Sequence, residues 1–437
     1  MFLINNSQPE KTAIVCDNGD TISYGKLKKL INSFSIYFKE RSIVFLIGSN
    51  NVSSLVCYFA ALESGVVPLL LSENINDEQL NDLIDIYSPK YIFSKKTFSN
   101  SIYSLRAKVE EGHLFLRNKA LDISIHKDLA LLLTTSGSTG SPKLVKLTKE
   151  NIKSNAESIS EYLKIGYDDR AITSLPFNYS YGLSVINSHL FSGGSIVLSN
   201  SSMMEEKFWK SINDYSVTSI AGVPYNYEMM LRLGIDNLDI PTIKKMTQAG
   251  GKLDYQKAKK VNDSLQLKGI DFYTMYGQTE ATARISYLPC GNIDKKPNSI
   301  GIPIPGGRLW LENEEGLKIS NSKIVGEMIY EGLNVSMGYA ESKEDLSIGD
   351  VNKGILRTGD LAYYDEDGYY FIEGRNNRFV KVFGNRISLD SLEKLITIKG
   401  FDSVATGVDD KMVIYVIEVP NLSVTELRKE ISESIGI

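Results

Sequence analysis

The chain has 437 residues and is longer than most single domains, so we expect at least two folding units and a large buried core. Its 48 basic and 53 acidic residues give a formal charge of −5. This balance has no basic excess that would attract nucleic acid or an anionic membrane, so we expect neither as a partner.

The cysteines and the apolar segments bear on where the protein works. Cys16, Cys57 and Cys290 are far apart and have no CxxC spacing, which disfavours both a disulfide framework and a zinc site. Residues 1–4 are too short for a signal peptide, and charge and proline interrupt the apolar residues 54–71, so no membrane span is predicted. We therefore expect a cytoplasmic protein.

The N-terminal part of the chain alternates two kinds of segment. Short β-branched runs at residues 43–47 and 91–93 are typical of strands, and longer amphipathic stretches at 53–64 and 76–87 are typical of helices. This order predicts βαβ units, and hence an α/β fold in which helices cover a mostly parallel sheet.

The same alternation returns between residues 170 and 275, where 195–198 and 219–223 have the composition of strands. We expect a second βαβ-type subdomain there. From about residue 300 the sequence changes to hairpin-like pieces with Gly, Asn and Asp turns, such as 363–372, which predict a β-rich subdomain.

A polar turn at residues 374–378 marks the predicted domain boundary. We expect an N-terminal domain at 1–376 and a small α+β C-terminal domain at 377–437. A predicted helix at 424–434 runs almost to the last residue, so we expect the second domain to be truncated.

The strongest motif joins an apolar strand to a loop rich in hydroxyls and glycines, Leu-Leu-Leu-Thr-Thr-Ser-Gly-Ser-Thr-Gly-Ser-Pro-Lys at residues 131–143. Polyphosphates bind backbone N–H groups, hydroxyls and lysine, so we predict a phosphate loop. Gly137 and Gly140 lie too close together for a Walker A motif. A flexible surface turn is the alternative. The candidate ligands are Thr135, Ser136, Gly137, Ser138, Thr139, Gly140 and Lys143.

A second motif, Met-Tyr-Gly-Gln-Thr-Glu, occupies residues 275–280. A tyrosine can stack on adenine, a hydroxyl can reach a phosphate, and a carboxylate can hold the Mg²⁺ that bridges phosphates. Taken alone, a buried tyrosine and a solvated glutamate are the commoner reading. Upstream, Gln-Ala-Gly-Gly-Lys at 248–252 has small residues that would let a flat ring approach the backbone, and a plain turn is the alternative there.

A third motif, Leu-Arg-Thr-Gly-Asp-Leu at residues 356–361, is followed by Gly374 and Arg375. The carboxylate of Asp360 can accept both ribose hydroxyls, and Arg375 can add donors to the sugar or a phosphate. A turn-capping aspartate and a surface ion pair are the alternatives for the two residues.

These motifs, in this order, resemble those of the adenylate-forming superfamily of acyl-CoA synthetases, amino-acid adenylation domains and firefly luciferase. The string at 135–143 resembles the family's phosphate loop residue for residue, although Leu144 follows where the family usually has glycine. The resemblance covers about residues 20–395. It implies an AMP-forming acid–thiol ligase that uses ATP and Mg²⁺ to form an acyl-adenylate. The acyl group would pass to CoA or to the phosphopantetheine of an acyl or peptidyl carrier protein.

The resemblance also assigns roles to single residues. Lys143, Thr279, Glu280 and Lys381 are implied as catalytic, and Glu280 also as the metal ligand. Beyond the phosphate loop, the residues implied for the nucleotide are Gly250, Gly251, Tyr276, Gly277, Asp360 and Arg375.

In this family the C-terminal domain swings between two poses, and Asn377 stands at the pivot, where the family usually has Asp or Lys. Lys381 resembles the lysine that serves the second half-reaction, and a solvated edge-strand lysine is the alternative. The family's other lysine, near the end of a longer C-terminal domain, has no counterpart here. A non-catalytic nucleotide-binding regulator is therefore an alternative function.

Residues 176–182, Pro-Phe-Asn-Tyr-Ser-Tyr-Gly, resemble the segment whose central residue, here Tyr179, gates the acyl pocket. Amino-acid adenylation domains place an aspartate there to pair the substrate ammonium, whereas Asn178 and Ser180 are neutral. An amino-acid loading domain is thus the disfavoured alternative. Tyrosine-rich walls favour a small or hydroxylated carboxylic acid. The remaining predicted pocket residues are Gly222, Tyr225 and Ala249.

Overall fold

The computed structural model divides the chain into two compact units. Unit 1 comprises Met1–Arg308 and Glu331–Leu356, and unit 2 comprises Leu309–Tyr330 and Arg357–Ile437. The structure describes residues 2–4, 8–96, 101–109, 111–119, 121–134, 143–375, 379–382, 385–398, 401–408 and 411–416.

The helices and strands follow in chain order. They are β1 (Thr12–Val15), β2 (Thr21–Ser23), α1 (Tyr24–Ser35), β3 (Ile43–Gly48), α2 (Val52–Ser64), β4 (Val67–Ser72), α3 (Asp77–Tyr87), β5 (Tyr91–Ser94), β6 (Tyr103–Val109), β7 (Gly112–Arg117), β8 (Leu129–Thr134), β9 (Leu144–Thr148), α4 (Lys149–Tyr162), β10 (Arg170–Ile172), α5 (Ser180–Phe191), β11 (Ser195–Val197), α6 (Glu206–Asp214), β12 (Ser219–Gly222), α7 (Pro224–Leu233), β13 (Lys245–Gln248), α8 (Tyr255–Leu267), β14 (Asp271–Tyr276), β15 (Ser286–Leu288), β16 (Ser299–Pro303), β17 (Arg308–Glu312), β18 (Gly326–Glu331), β19 (Tyr339–Ala340), β20 (Ile355–Tyr364), β21 (Tyr370–Arg375), β22 (Phe379–Val382), β23 (Asn385–Ser388), α9 (Leu389–Ile398), β24 (Ser403–Val408) and β25 (Lys411–Val416).

In unit 1, one sheet runs in the order β16-β15-β14-β13-β12-β10-β11-β1-β2. Its central strands, from β14 to β1, pair in parallel, and β15, β16 and β2 pair antiparallel at the two sides. Because β12, β13 and β14 are parallel neighbours, their carboxyl ends lie on one edge of the sheet. The predicted second βαβ subdomain is confirmed.

The other sheet of unit 1 runs β19-β9-β8-β4-β3-β5-β7-β6, and its inner strands β8, β4, β3 and β5 are parallel. Buried side chains of α3 cover one face. A larger core cluster joins the opposite face to the first sheet through α1, α2, α4 and α5. The segment predicted as an amphipathic helix at 53–64 is instead buried on nearly all sides, because it packs against α1 as well as β3 and β4.

Unit 2 contains the four strands β17-β18-β20-β21, of which β20 and β21 form an antiparallel hairpin. Two further ribbons, β22–β23 and β24–β25, follow with α9, whose Leu389, Leu392 and Ile396 pack with Ala405. The predicted β-rich subdomain and the α+β segment after it are confirmed. The predicted boundary after residue 376 and the predicted helix at 424–434 lie outside the described residues.

None of the described helices combines the length and the apolar character needed to cross a bilayer.

Candidate functional site

The candidate site begins at the carboxyl edge of β12, β13 and β14, the place where open α/β sheets bind their ligands. The predicted pocket residues Gly222 and Ala249 meet here, and the Ala249 N–H donates to the Gly222 carbonyl at 3.2 Å. Tyr276 ends the adjacent strand β14. The fold therefore brings the predicted acid pocket and the predicted adenine residue to one edge.

Tyr179, the predicted gate, directly precedes α5 and lies against Gly250. Gly250 has φ +78°, and a Cβ there would lie 2.4 Å from the Tyr179 hydroxyl and 3.2 Å from a methyl carbon of Val223. The position thus requires glycine both for its backbone conformation and for the close approach. The predicted small-residue segment and the predicted gate are in direct contact.

The predicted wall residue Tyr225 lies in the first turn of α7 with 61% of its surface exposed. Tyr227 on the same helix is fully buried and donates to the Thr247 carbonyl at 2.7 Å. Tyr227 is therefore a structural residue that braces β13, whereas Tyr225 is open to solvent.

Residues 276–284, which we name the site loop, connect β14 to β15. Gln278 Nε2 donates to the Tyr276 hydroxyl at 2.9 Å. The Thr279 hydroxyl lies 3.2 Å from the Ser180 hydroxyl at the start of α5. The loop is thus tied directly to the helix that follows the gate residue.

The carboxylate of Glu280 accepts a hydrogen bond from the Tyr339 hydroxyl at 2.7 Å. Lys143 lies with its Nζ 3.7 Å from the centre of the Tyr339 ring and 3.7 Å from Glu341 Oε1. Burial, with the neighbouring Glu280 charge, raises the pKa of Tyr339, so this phenol remains a donor. The structure therefore joins Lys143 and Glu280, predicted from separate motifs, through one tyrosine.

The sequence analysis missed Tyr339 and Glu341. Their signal is a tyrosine after Gly338 at the start of a short edge strand, paired with β9 beside Lys143. Such a pair of residues is too common to indicate a site without knowledge of the strand pairing.

The site loop is tightly folded and strained. Thr282, a β-branched residue, has φ +64°, a conformation that such residues rarely adopt, and its hydroxyl donates to the Asn334 carbonyl at 2.7 Å. The Asn334 amide in turn donates to the carbonyls of Ala281 and Arg284, at 2.9 and 2.8 Å. A Cβ on Gly277 would lie 1.9 Å from the Ala283 carbonyl oxygen. Strain of this kind concentrates at functional sites.

The donor set around Glu280 fits a magnesium ion held mainly by a nucleotide. Mg²⁺ sites of that type use one or two protein carboxylates and complete the shell with phosphate and water. Among the described residues no group of three or more His, Cys, Asp or Glu could form a protein-only cage. Glu280 is partly exposed, which leaves its carboxylate accessible.

In unit 2, the predicted ribose residues are paired. Asp360 and Arg375 lie directly opposite each other on β20 and β21, and Arg375 Nε is 3.3 Å from Asp360 Oδ1. The Asp360 side chain is buried, and the Arg375 side chain is 64% exposed. The ion pair that we gave as the alternative for Arg375 is present, and it positions both groups together.

Three predictions fall on or near undescribed residues. The phosphate-loop residues 135–140 lie outside the described residues, and Thr134 before them ends β8. Lys381 lies on β22, in register with Arg386 of β23. The pivot residue Asn377 is not among the described residues.

A small cavity of about 20 Å³ lies between α4, α5 and strands β12 to β14. Its lining mixes apolar side chains with charged and hydroxyl groups. The residues are Ile159, Leu163, Ser184, Val185, Ser188, His189, Ser219, Ile220, Ala221, Lys245, Thr247, Met275 and Arg284.

We name His189, Ser219 and Lys245, together with Asp169, the cavity floor. Lys245 Nζ lies 3.2 Å from Asp169 Oδ1 and donates to the Leu163 carbonyl at 2.8 Å. His189 Nδ1 lies 2.8 Å from the Val185 carbonyl, so it carries the proton, and Nε2 accepts from the Ser219 hydroxyl at 3.1 Å. Burial lowers the pKa of His189 to about 4, so this histidine is neutral at pH 7.

The chain has an α/β fold, and the predicted nucleotide residues Tyr276, Thr279 and Glu280 lie at and just after the carboxyl end of β14. The sequence model of the AMP-binding enzyme family matches residues 4–340, and the chain belongs to that family. The resemblance inferred from the motifs is confirmed.

The chain is similar to ligases whose names specify different acids. It is 26% identical over 412 residues to 2-succinylbenzoate–CoA ligase of Oceanobacillus iheyensis, covering 90% of this chain and 82% of that enzyme. It is 26% identical over 402 residues to D-alanine–D-alanyl carrier protein ligase of Staphylococcus epidermidis, covering 88% and 79%.

Among solved structures, the chain is similar to O-succinylbenzoate coenzyme A synthetase of Bacillus subtilis in complex with AMP. The TM-score is 0.77 at 20% identity, and the alignment covers 98% of this chain and 90% of that one. This similarity confirms the predicted α/β fold.

Proposed function

We propose that the chain activates a carboxylic acid with ATP and transfers the acyl group to a thiol. An acid oxygen attacks the α-phosphorus, pyrophosphate leaves, and the thiol then attacks the acyl carbon and releases AMP. The observation that carries this proposal is the contact between Ser180, beside the gate residue Tyr179, and Thr279 in the site loop. Acid and nucleotide groups that react must be held together in this way.

Each residue of the site loop has a proposed task. Tyr276 would stack on adenine, and the Thr279 hydroxyl would contact the α-phosphate. Glu280 would hold Mg²⁺, which neutralises phosphate charge when bound. Tyr339 fixes the Glu280 carboxylate through its hydrogen bond, and Lys143 supplies a cation beside the same tyrosine.

The thiol acceptor is proposed from the relatives. One relative's name specifies CoA and another's a D-alanyl carrier protein, so CoA and a carrier-protein pantetheine are the two acceptors to test. The ribose roles of Asp360 and Arg375 and the thiol-step role of Lys381 remain predictions from the resemblance.

The test is acid-dependent exchange of labelled pyrophosphate into ATP, measured with a panel of small carboxylic acids. The proposal expects exchange with at least one acid, and its loss in Glu280→Gln with AMP binding retained, because only the triphosphate reaction needs the metal. The matched control is Glu161→Gln, an exposed glutamate on α4, which should exchange normally. AMP binding without exchange for any acid would contradict the proposal and favour a non-catalytic nucleotide-binding protein.

A further inference from the structure

Arg284, the last residue of the site loop, is a buried cation with no carboxylate partner. It is 3% exposed and lines the cavity between α4, α5 and strands β12 to β14. Its Nε has no hydrogen-bond partner, Nη1 donates to the neighbouring Ala283 carbonyl at 3.3 Å, and the guanidinium also donates to the neutral Tyr162 hydroxyl. Among the described residues, no Asp or Glu lies within ion-pair distance of its guanidinium.

The groups around Arg284 do not supply the missing negative charge. Its guanidinium carbon lies 3.9 Å from the centre of the Tyr181 ring, which offers an aromatic face and no ionic partner. Burial raises the pKa of Tyr162 and Tyr179, and that of Tyr181 to about 12, so all three phenols are neutral. The cavity floor already pairs its own cation, Lys245, within the chain.

A buried charge without a partner is costly, so a chain that retains one has a use for it or an external partner. The site loop holds this cation in place, because the Asn334 amide binds the Arg284 carbonyl. Arg284 therefore belongs to the loop that carries Thr279 and Glu280, and it lines a cavity bounded by α5, the helix that follows the gate.

We propose that Arg284 receives a second carboxylate on the acid substrate, so that the enzyme activates short dicarboxylic acids. This inference rests on the proposed function and specifies its substrate class. A planar guanidinium matches a carboxylate in a bidentate arrangement, and the Nε of Arg284 has no hydrogen-bond partner within the protein. The cavity of about 20 Å³ admits a compact polar group and excludes a long alkyl chain.

A purely structural role is the competing explanation, in which Arg284 only stacks on Tyr181. That role predicts no effect of Arg284 on the choice between acids. Substrate selectivity therefore separates the two explanations, whereas stability does not.

The experiment compares pyrophosphate exchange for matched pairs of straight-chain acids with three to six carbons, each monocarboxylic acid beside its α,ω-dicarboxylic counterpart. An ω-phosphono acid of equal length tests whether any anion suffices. The wild-type protein is expected to prefer one of the dicarboxylic acids in kcat/KM by about 10-fold or more, the value of a hydrogen-bonded charge.

Three variants complete the test. Arg284→Met keeps the length of the side chain without its charge, and is expected to lose about 10- to 100-fold in kcat/KM for the dicarboxylic acid while retaining the monocarboxylic acid. Arg284→Lys is expected to recover part of the preference, because it restores charge without the planar fork. Arg106→Met, at an exposed position on β6, is the matched control and should behave as the wild type.

The outcomes separate this inference from the proposed function. Exchange with monocarboxylic acids alone, unchanged in Arg284→Met, would overturn the inference and leave the function supported. Exchange with no acid would contradict the function. The inference is then decided by thermal shift with the dicarboxylic acids in the presence of AMP. A shift in the wild type that is absent in Arg284→Met supports it, and no shift overturns it.

Discussion

The cavity floor and the site loop each contain a buried positive charge, but only the charge on the floor has a carboxylate partner within the chain. On the floor, Lys245 has a carboxylate at 3.2 Å and a carbonyl at 2.8 Å. At the end of the site loop, Arg284 is as deeply buried, but the groups it contacts are neutral, namely the Ala283 carbonyl at 3.3 Å and the Tyr162 hydroxyl. Lys245 is neutralised by a carboxylate of the same chain, as expected for a structural charge. Arg284 has no such carboxylate, as expected for a residue that binds an anionic ligand.

The same contrast extends to the acids in the two regions. Burial opposes ionisation of Asp169 on the floor, but the Gly166 N–H and Lys245 outweigh it and lower the pKa of its carboxyl. Glu280 in the site loop has a single tyrosine donor and is partly exposed. We therefore expect floor substitutions to cost stability and site-loop substitutions to cost function.

The largest expected effect is on the floor. Lys245→Met leaves Asp169 buried and unpaired, and should lower the free energy of unfolding by about 3–5 kcal/mol. Arg284→Met removes a buried cation that has no ionic partner, and should change the free energy of unfolding by less than about 1 kcal/mol in either direction. The loss of the contact with Tyr181 is offset because the variant no longer buries an unpaired charge. Chemical denaturation measures both. Lys257→Met, at the exposed Glu228 pair, is the control and should cost about 1 kcal/mol or less. Equal losses of unfolding free energy in Lys245→Met and Arg284→Met would contradict the distinction between a structural cation on the floor and a ligand-binding cation in the site loop.

The pH dependence of the free energy of unfolding tests whether His189 on the cavity floor is buried in its neutral form. The pKa of His189 is about 4 in the folded protein, below its ordinary value of 6.5, because the ring is buried. The unfolded chain therefore binds the proton first, and stability falls as pH drops from 6.5 to 4, by about 3 kcal/mol at most. His189→Gln should lack this loss while retaining the decline at lower pH. Parallel stability curves for the two proteins over that window would show that His189 is not buried as described.

Two glycines with similar positive φ angles allow the effect of backbone strain on stability to be distinguished from an effect on the acid pocket. Gly250 has φ +78° and contacts Tyr179, whereas Gly269 has φ +70° and open space around it. Alanine at either position should cost about 1 kcal/mol of stability from the positive φ. Only Gly250→Ala should also reduce pyrophosphate exchange, by about 10-fold, because its methyl group displaces Tyr179. Equal exchange rates in the two variants would argue against Tyr179 as part of the acid pocket.

The smallest effect is expected at Tyr339. Tyr339→Phe removes the hydrogen bond to Glu280 without creating a large cavity, at a cost of about 1 kcal/mol. This should raise the Mg²⁺ concentration for half-maximal exchange about fivefold, with the melting temperature nearly unchanged. Tyr37→Phe, which removes a hydroxyl near the end of α1, is the control. If Tyr339→Phe leaves the magnesium dependence of exchange unchanged, Tyr339 does not position Glu280 for the metal and has only a structural role.

The periodicity of the sequence was enough to predict the fold. Strands at 43–47 and 219–223 and the hairpin at 363–372 are present, because local composition already specifies whether such segments are half-buried or turning. The helix α2 was predicted with an exposed face, which it lacks. Which neighbours cover a helix depends on tertiary packing, and an isolated segment does not encode that.

The site was predictable only where it lies in contiguous motifs. Glu280 and Gly250 stand in such motifs. Tyr339 and Arg284 acquire their meaning from contacts far along the chain, to Glu280 and to Asn334 and Tyr181 respectively. A lone arginine in a sequence is ordinarily a solvated residue, and only burial without a carboxylate distinguishes this one.

The central claim, that this chain joins an acid oxygen to the α-phosphate of ATP, is tested most directly by isotope transfer. The protein is incubated with ATP, magnesium, a thiol acceptor and an acid labelled with ¹⁸O in its carboxylate, and the nucleotide products are analysed by mass spectrometry. The account predicts AMP that carries one ¹⁸O, because thiol attack breaks the bond between the acyl carbon and the acid's own oxygen. Release of ADP with the label in inorganic phosphate, or of unlabelled AMP, would contradict it.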